Sequence, residues 1–351
     1  MTSLPFPSFS SSSPWAPAWA RPSSGVPSGV TDRASIGGSA STPGDAAVRV
    51  PVVFIPGLWI HSTAWQPWVD LFTAAGYAAS APGWPGQADT VEATRAHPAA
   101  MAGWGIDDIT ERYARYLTTL VTLTGQTSQA GQTTGTLRNA QAFQIPRPIL
   151  IGHSFGGLVA QKLLARGAAA AAVAIDPAPI KGVRALPLAQ IRSALPVLRK
   201  KANAEQAVAL TRRQFRYAFA NAVSRAEADD LYARWAVPGP GRPIFELTAA
   251  KKDLAGPTQV PTDDGDRGPL LILGGGRDHT VPEVVARQAA KLYRPGRNTE
   301  YRKLNGRGHS LVFDSGWHSL AETVLTWVDG TQPLPGSIGG SSAHLAGGAS
   351  R

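Results

Sequence analysis

A serine set between glycines is the first residue in this chain whose setting suggests chemistry. The segment reads Ile151-Gly152-His153-Ser154-Phe155-Gly156-Gly157. An apolar run at Ile149–Gly152 predicts a strand before it, and Gly156–Arg166 predicts a helix after it. The chain must therefore reverse sharply at Ser154, which forces that residue into a strained backbone conformation and lifts its hydroxyl clear of the sheet. Gly152 and Gly156 lack Cβ atoms, so the turn can close. The new helix begins beside the hydroxyl, and its N-terminal N–H groups and dipole face any negative charge that develops there. A phosphate-cradling loop would share the glycines but would want a lysine, and His-Ser stands at the centre instead.

A serine hydroxyl is a weak nucleophile and needs a base, which in turn needs an acid to fix its tautomer. There are seven histidines. His309 lies in Gly306-Arg307-Gly308-His309-Ser310, after the last expected strand and before the final helix. His153 neighbours Ser154 in sequence, so its ring should point away from the hydroxyl, as a packed core histidine. His61 and His279 read as loop residues near the rim of a site. His97, His318 and His344 match no catalytic position. Two aspartates compete as the acid. Asp278 follows the strand Leu270–Leu273 and the exit Gly274-Gly275-Gly276, whereas Asp176 ends the strand before it and precedes Pro177. Both fall between Ser154 and His309, so chain order leaves the choice open. The strands ending near Leu273 and Leu304 are consecutive and expected to be neighbours, which favours Asp278.

The elements that position these groups alternate. Val50–Ile55, Tyr77–Ala81, Ile149–Gly152, Ala171–Ile175, Leu270–Leu273 and Glu300–Leu304 read as strands. Ala64–Ala75, Asp107–Leu120, Gly156–Arg166, Pro282–Leu292 and Ser315–Val328 read as helices. Alternation with fully apolar strands predicts an α/β protein with a mostly parallel sheet and helices on both faces. Thr122–Gln144 reads as a loop insertion. Residues 181–250 contain no evident strand and show helical stretches at Leu188–Leu198, Ala204–Ala222 and Glu227–Ala236, which predicts a helical cap inserted into a core of residues 49–180 and 251–331. Residues 1–48 hold 12 Ser, 7 Pro and 5 Gly, too little apolar surface to offset chain entropy, and read as a disordered leader. Residues 332–351 read as a flexible tail.

Composition narrows the classes. The 351 residues include no cysteine, which excludes disulfides, cysteine-ligated zinc, iron–sulfur clusters and a thiol nucleophile. The longest apolar run, Ala168–Ile175, is too short to span a bilayer, so no transmembrane segment is expected and the chain reads as soluble and cytoplasmic. Net charge is +10, concentrated in residues 181–253, which hold 14 Lys and Arg against 6 Asp and Glu. No nucleic-acid motif accompanies this charge, so nucleic-acid binding is not expected.

Four motifs in order, Pro56-Gly57-Leu58-Trp59, the Ser154 turn, Gly275-Gly276-Arg277-Asp278-His279-Thr280-Val281-Pro282 and Gly306-Arg307-Gly308-His309-Ser310, make residues 50–330 resemble the α/β-hydrolase fold family, in its serine-nucleophile, esterase/lipase-like branch. The resemblance implies Ser154 as nucleophile, His309 as base and Asp278 as acid, under a variable helical cap. Some lipases of the fold carry the acid at the place of Asp176. It also implies an oxyanion hole from the backbone N–H groups of Phe155 and Leu58, although Pro56-Gly57 replaces the usual His-Gly. Family members often open with a β-hairpin, for which only Ala46–Val48 is available. The sheet is thus expected with six strands or with one borrowed from the leader. Trp59, Trp65, Trp68, Trp84 and Trp104 should pack around the opening.

Dehalogenases and epoxide hydrolases of the fold carry aspartate at the nucleophile position, which Ser154 disfavours. The leading expectation is hydrolysis of a small-molecule carboxylic ester through an acyl-enzyme, with no metal or organic cofactor. Acyl transfer, haloperoxidase-like perhydrolysis and carbon–carbon hydrolysis would use the same triad, and a non-catalytic ligand receptor can retain it.

Overall fold

Runs of Val, Ile, Leu and Ala that are apolar at every position become strands buried on both faces. The computed structural model describes residues 49–130, 146–250, 256–263, 267–294 and 298–331. In chain order the first half holds β1 (Pro51–Ile55), α1 (Gln66–Ala74), β2 (Ala78–Ser80), α2 (Val91–Ala96), α3 (Ile106–Ala130), β3 (Ile149–His153), α4 (Phe155–Ala165) and β4 (Ala171–Ile175). The sheet resumes with β7 (Leu270–Gly275), α9 (Glu283–Leu292), β8 (Thr299–Leu304) and α10 (Trp317–Thr331). Between β4 and β7 lie α5 (Leu188–Leu198), β5 (Ala207–Val208), α6 (Arg212–Ala218), α7 (Arg225–Trp235), β6 (Gly239–Pro240) and α8 (Arg242–Ala249).

The main sheet has six strands in the order β2-β1-β3-β4-β7-β8, all pairs parallel. Every residue of β1, β3, β4 and β7 is buried. Each such Val, Leu or Ile contributes roughly 1.5–3 kcal/mol of transfer free energy. Parallel pairing brings all the strand C-termini to one edge. β7 sits between β4 and β8, so the loops leaving all three meet there.

Three expectations need correction. Helix α3 runs to Ala130, not to Leu120, so the segment from Thr122 to Ala130 is helix. The hydroxyls of Thr118, Thr119 and Thr122 donate to carbonyls four residues earlier, the bond a threonine makes when it stands inside a helix. Residues 131–145 of the expected loop, the leader 1–48 and the tail 332–351 lie outside the described residues. The 181–250 segment does contain strands: β5 and β6 pair antiparallel. At two residues each, one of them Gly-Pro, they leave no alternating pattern to read. The helix expected over Ala204–Ala222 shrinks to α6, because Thr211 closes a capping box with Gln214 and sets the start at Arg212. Among the described residues no helix is long and apolar enough to cross a membrane.

Hydrogen bonds stitch the inserted helices to the strand-exit loops. Ser310 N–H donates to Phe219 O, Thr280 Oγ1 to Ala218 O and Asn221 Nδ2 to Arg277 O. Across the opening, Trp59 Nε1 donates to Val208 O at 2.9 Å, and Ile60 bridges Ala236.

Candidate active site

Ser154 sits at φ 56°, ψ −121°, between β3 and α4. An L-residue adopts that conformation only when its surroundings hold it there. The turn closes because the backbone passes within contact of the glycines. A Cβ on Gly152 would lie 2.1 Å from Gly156 O, and one on Gly156 would lie 2.1 Å from Ile55 O. Ser154 N–H donates to Ile175 O at 2.9 Å, which fixes the turn to the end of β4.

His309 Nε2 lies 3.0 Å from Ser154 Oγ, and His309 Nδ1 lies 2.5 Å from Asp278 Oδ2. An ionised carboxylate only accepts, so Nδ1 carries the ring proton and Nε2 accepts from the serine hydroxyl. The other oxygen of Asp278, Oδ1, accepts from Thr280 N–H at 2.6 Å and Val281 N–H at 2.8 Å. The Asp278 and His309 loops are themselves joined: Gly276 N–H donates to Leu304 O and Arg277 N–H to Arg307 O, both at 2.8 Å. The His309 ring lies between His153, at 4.5 Å between centroids, and Phe219, at 4.8 Å. Three groups separated by up to 155 residues thus form one buried hydrogen-bonded chain.

Asp176 also reaches this chain. Its backbone has φ 42°, its Oδ1 accepts from Gly275 N–H at 2.5 Å, and its Oδ2 stands 4.0 Å from His309 Nδ1. Asp176, Asp278 and His309 are all buried. Burial and the neighbouring Asp278 carboxylate drive the Asp176 carboxyl well above the usual range. Burial also raises Asp278, to about 7, against the opposing hydrogen bonds from Asp176, Val281 and Thr280. Burial lowers His309 to about 4, which keeps the imidazole neutral and able to take a proton. Burial and the His309 ring drive His153 well below its ordinary value. A neutral His153 stacked on His309 is a packed histidine, although its Nε2 has no partner among the described residues.

His153, Asp176 and His309 offer ligand atoms within 4.8 Å of one another, spacing that a metal ion accepts. His309 belongs both to this cluster and to the chain from Ser154 to Asp278, so a cation held there would take the imidazole from the serine.

A small cavity of about 40 Å³ opens on Ser154, walled by Trp59, Phe155, Gln190, Ser193, Ile244 and Val281 among others. Leu58 is buried and is not part of that wall. The backbone N–H groups of Leu58 and Phe155 have no partner among the described residues. Of the five tryptophans expected to pack around the opening, Trp59, Trp65, Trp68 and Trp84 are buried, Trp104 is partly buried, and Trp59 lines the cavity at Ser154. Gln190 escaped sequence reading. It lies in α5, and its Oε1 is buried at the cavity wall without a partner among the described residues. His61 holds a loop, through Thr63 Oγ1 at 2.7 Å and Ala88 O at 3.0 Å. His279 bonds Tyr217 O at 3.0 Å.

The profile of the alpha/beta hydrolase family matches residues 52–323. No curated protein matches the sequence. Among solved structures, a monoacylglycerol lipase from Paleococcus ferrophilus is similar at 18% identity, over 80% of this chain and 95% of that one, with a TM-score of 0.53. A thermophilic esterase from Thermogutta terrifontis is similar at 14% identity, over 80% and 90%, with a TM-score of 0.54. A methylesterase from Arabidopsis is similar at 14% identity, over 80% and 99%, with a TM-score of 0.51. At these identities the likeness is one of fold.

Proposed function

The chain belongs to the alpha/beta hydrolase family, and from that premise we propose that it is a serine hydrolase that cleaves a carboxylic ester. The observation that carries this reading is the continuous chain Ser154 Oγ–His309 Nε2, His309 Nδ1–Asp278 Oδ2 at 3.0 and 2.5 Å, set at a strained strand-to-helix turn. Ser154 Oγ attacks the ester carbonyl carbon while its proton passes to His309 Nε2. Asp278, hydrogen-bonded to Nδ1, holds the ring in the right tautomer and stabilises the imidazolium. The carbonyl oxygen becomes an oxyanion, which takes hydrogen bonds from the Phe155 and Leu58 N–H groups beside the positive end of α4. Collapse of this intermediate breaks the carbon–oxygen bond, and His309 gives its proton to the departing alkoxide. A water then repeats the sequence on the acyl-enzyme: His309 takes its proton, the acid is released and Ser154 recovers its hydrogen.

Hydrolysis of a short-chain p-nitrophenyl ester tests the reading. The wild-type protein should turn over the ester, and Ser154→Ala should remove nearly all of that turnover, by roughly 10⁴-fold or more, with an unchanged far-ultraviolet circular dichroism spectrum. Equal turnover by both proteins would reject it.

A further inference from the structure

Two larger cavities adjoin the small one at Ser154, and they differ in chemistry. One, of about 330 Å³, shares Pro179, Gln190, Ala194, Ile244 and Leu247 with the catalytic cavity and is otherwise largely aliphatic. The other, of about 990 Å³, shares Ser193 with it and is walled by α5, α6 and the start of α7. Ser193, whose Oγ donates to His279 O at 3.1 Å, belongs to the walls of both this cleft and the cavity at Ser154.

The larger cleft is cationic. Arg192, Arg199, Arg213, Arg216 and Arg225 line it, and no Asp or Glu does. Arg192 lies over the Tyr217 ring at 4.0 Å, which orients its guanidinium and leaves its N–H edge free. Arg225 has only a long contact with Asp229, at 4.0 Å. Arg199, Arg213 and Arg216 have no carboxylate partner among the described residues. Two other arginines of this region, Arg234 and Arg242, are paired, with Asp230 and Glu246. Like charges converging on one concave surface repel one another, and an anion placed among them removes that cost. A cleft also focuses the field of its charges. The guanidinium fork matches phosphate and carboxylate oxygens in pairs.

We propose that this cleft binds a phosphate- or carboxylate-bearing group on the alcohol portion of the ester, so that the substrate is an amphiphile with an apolar acyl chain. This rests on the ester-hydrolase reading above. The assignment of ends follows from the reaction order. The acyl group stays bonded to Ser154 after the first step and needs the aliphatic berth. The alcohol must leave to water, and the cationic cleft is the wider of the two.

Two acyl-matched substrates test the proposal: a p-nitrophenyl ester and the corresponding ester of 4-hydroxy-3-nitrobenzoate, which adds one carboxylate to the leaving group. At low salt the ratio of kcat/KM, anionic over neutral, should be about tenfold higher for the wild type than for Arg213→Gln/Arg216→Gln. It should fall with added salt in the wild type, as the Debye length shrinks from about 10 Å at 0.1 M. Equal ratios in the two proteins would overturn the proposal. A binding measurement separates this outcome from failure of the hydrolase reading. Inorganic pyrophosphate titrated calorimetrically into the full-length Ser154→Ala protein should bind about tenfold more tightly than to the same protein carrying the two glutamines. Loss of turnover on both esters with this difference intact would reject the hydrolase reading and keep the anion site. Equal pyrophosphate binding would reject the anion site whatever the turnover.

Discussion

Two buried carboxylates beside one imidazole pose the central question at the scale of residues. Asp278 Oδ2 is 2.5 Å from His309 Nδ1 and Asp176 Oδ2 is 4.0 Å from it. We assign the orienting role to Asp278, whose Oδ2 makes the hydrogen bond to His309 Nδ1, while Asp176 Oδ1 accepts from Gly275 N–H. Asparagine at 278 would keep the shape and favour the wrong tautomer, so Asp278→Asn should lower kcat by about 10⁴-fold. Asparagine at 176 fills the same space and leaves the hydrogen bond between His309 and Asp278 in place, so Asp176→Asn should cost about tenfold or less. The reverse order in purified, folded variants would move the acid to Asp176. The pH profile follows from the same groups. His309, lowered to about 4 by burial, is already neutral above that pH. Asp278, raised to about 7, ionises only above it. On acidification the carboxylate is therefore lost before the imidazole is protonated. The acid limb of kcat/KM should lie near pH 7 and fall about tenfold per unit below it. A limb near pH 4 would make His309 the limiting group.

At the scale of elements, the strained turn depends on close backbone packing. A methyl on Gly156 would meet Ile55 O at 2.1 Å and Pro56 O at 2.7 Å, atoms of backbone that cannot swing away. Gly156→Ala should cost at least ~2 kcal/mol, read as a lower urea midpoint at constant slope, together with loss of turnover. An unchanged midpoint would contradict the close approach. The turn and the sheet were legible in the sequence for the same reason: their constraints are local. A strand buried on both faces is apolar at each position, and a turn that admits no Cβ leaves glycine at fixed spacing. The inserted helices were less legible. Strands of two residues carry no period, and α6 begins where a side-chain cap places it. The end of α3 beyond Leu120 was hidden by its threonines and Gly125, residues of weak helix propensity. Within the site, the glycine-flanked motifs and the family resemblance pointed to Ser154 and His309, and the expected neighbouring of the last two strands pointed to Asp278. Asp176 and His153 were singled out, but the place of Gln190 in the cavity wall depends on three-dimensional burial, for which sequence spacing holds no signal.

The molecule as a whole places Ser154, His309 and Asp278 at the seam between the parallel sheet and the inserted helices. Ser154 is only 3% exposed, and the loops that carry Asp278 and His309 are hydrogen-bonded to α6 or to the residues just after it. Ordinary surface serines are unactivated, whereas a serine paired with a neutral, oriented imidazole attacks strong electrophiles. A small alkyl fluorophosphonate therefore tests the central claim most directly. Attack by Ser154 Oγ forms an oxygen–phosphorus bond, fluoride leaves, and His309 takes the proton. Intact-protein and peptide mass spectrometry should find one adduct per chain, on Ser154, appearing in step with the loss of ester turnover and absent from Ser154→Ala. Protein that hydrolyses the ester while Ser154 stays unmodified, or that loses turnover through an adduct elsewhere, would contradict the account.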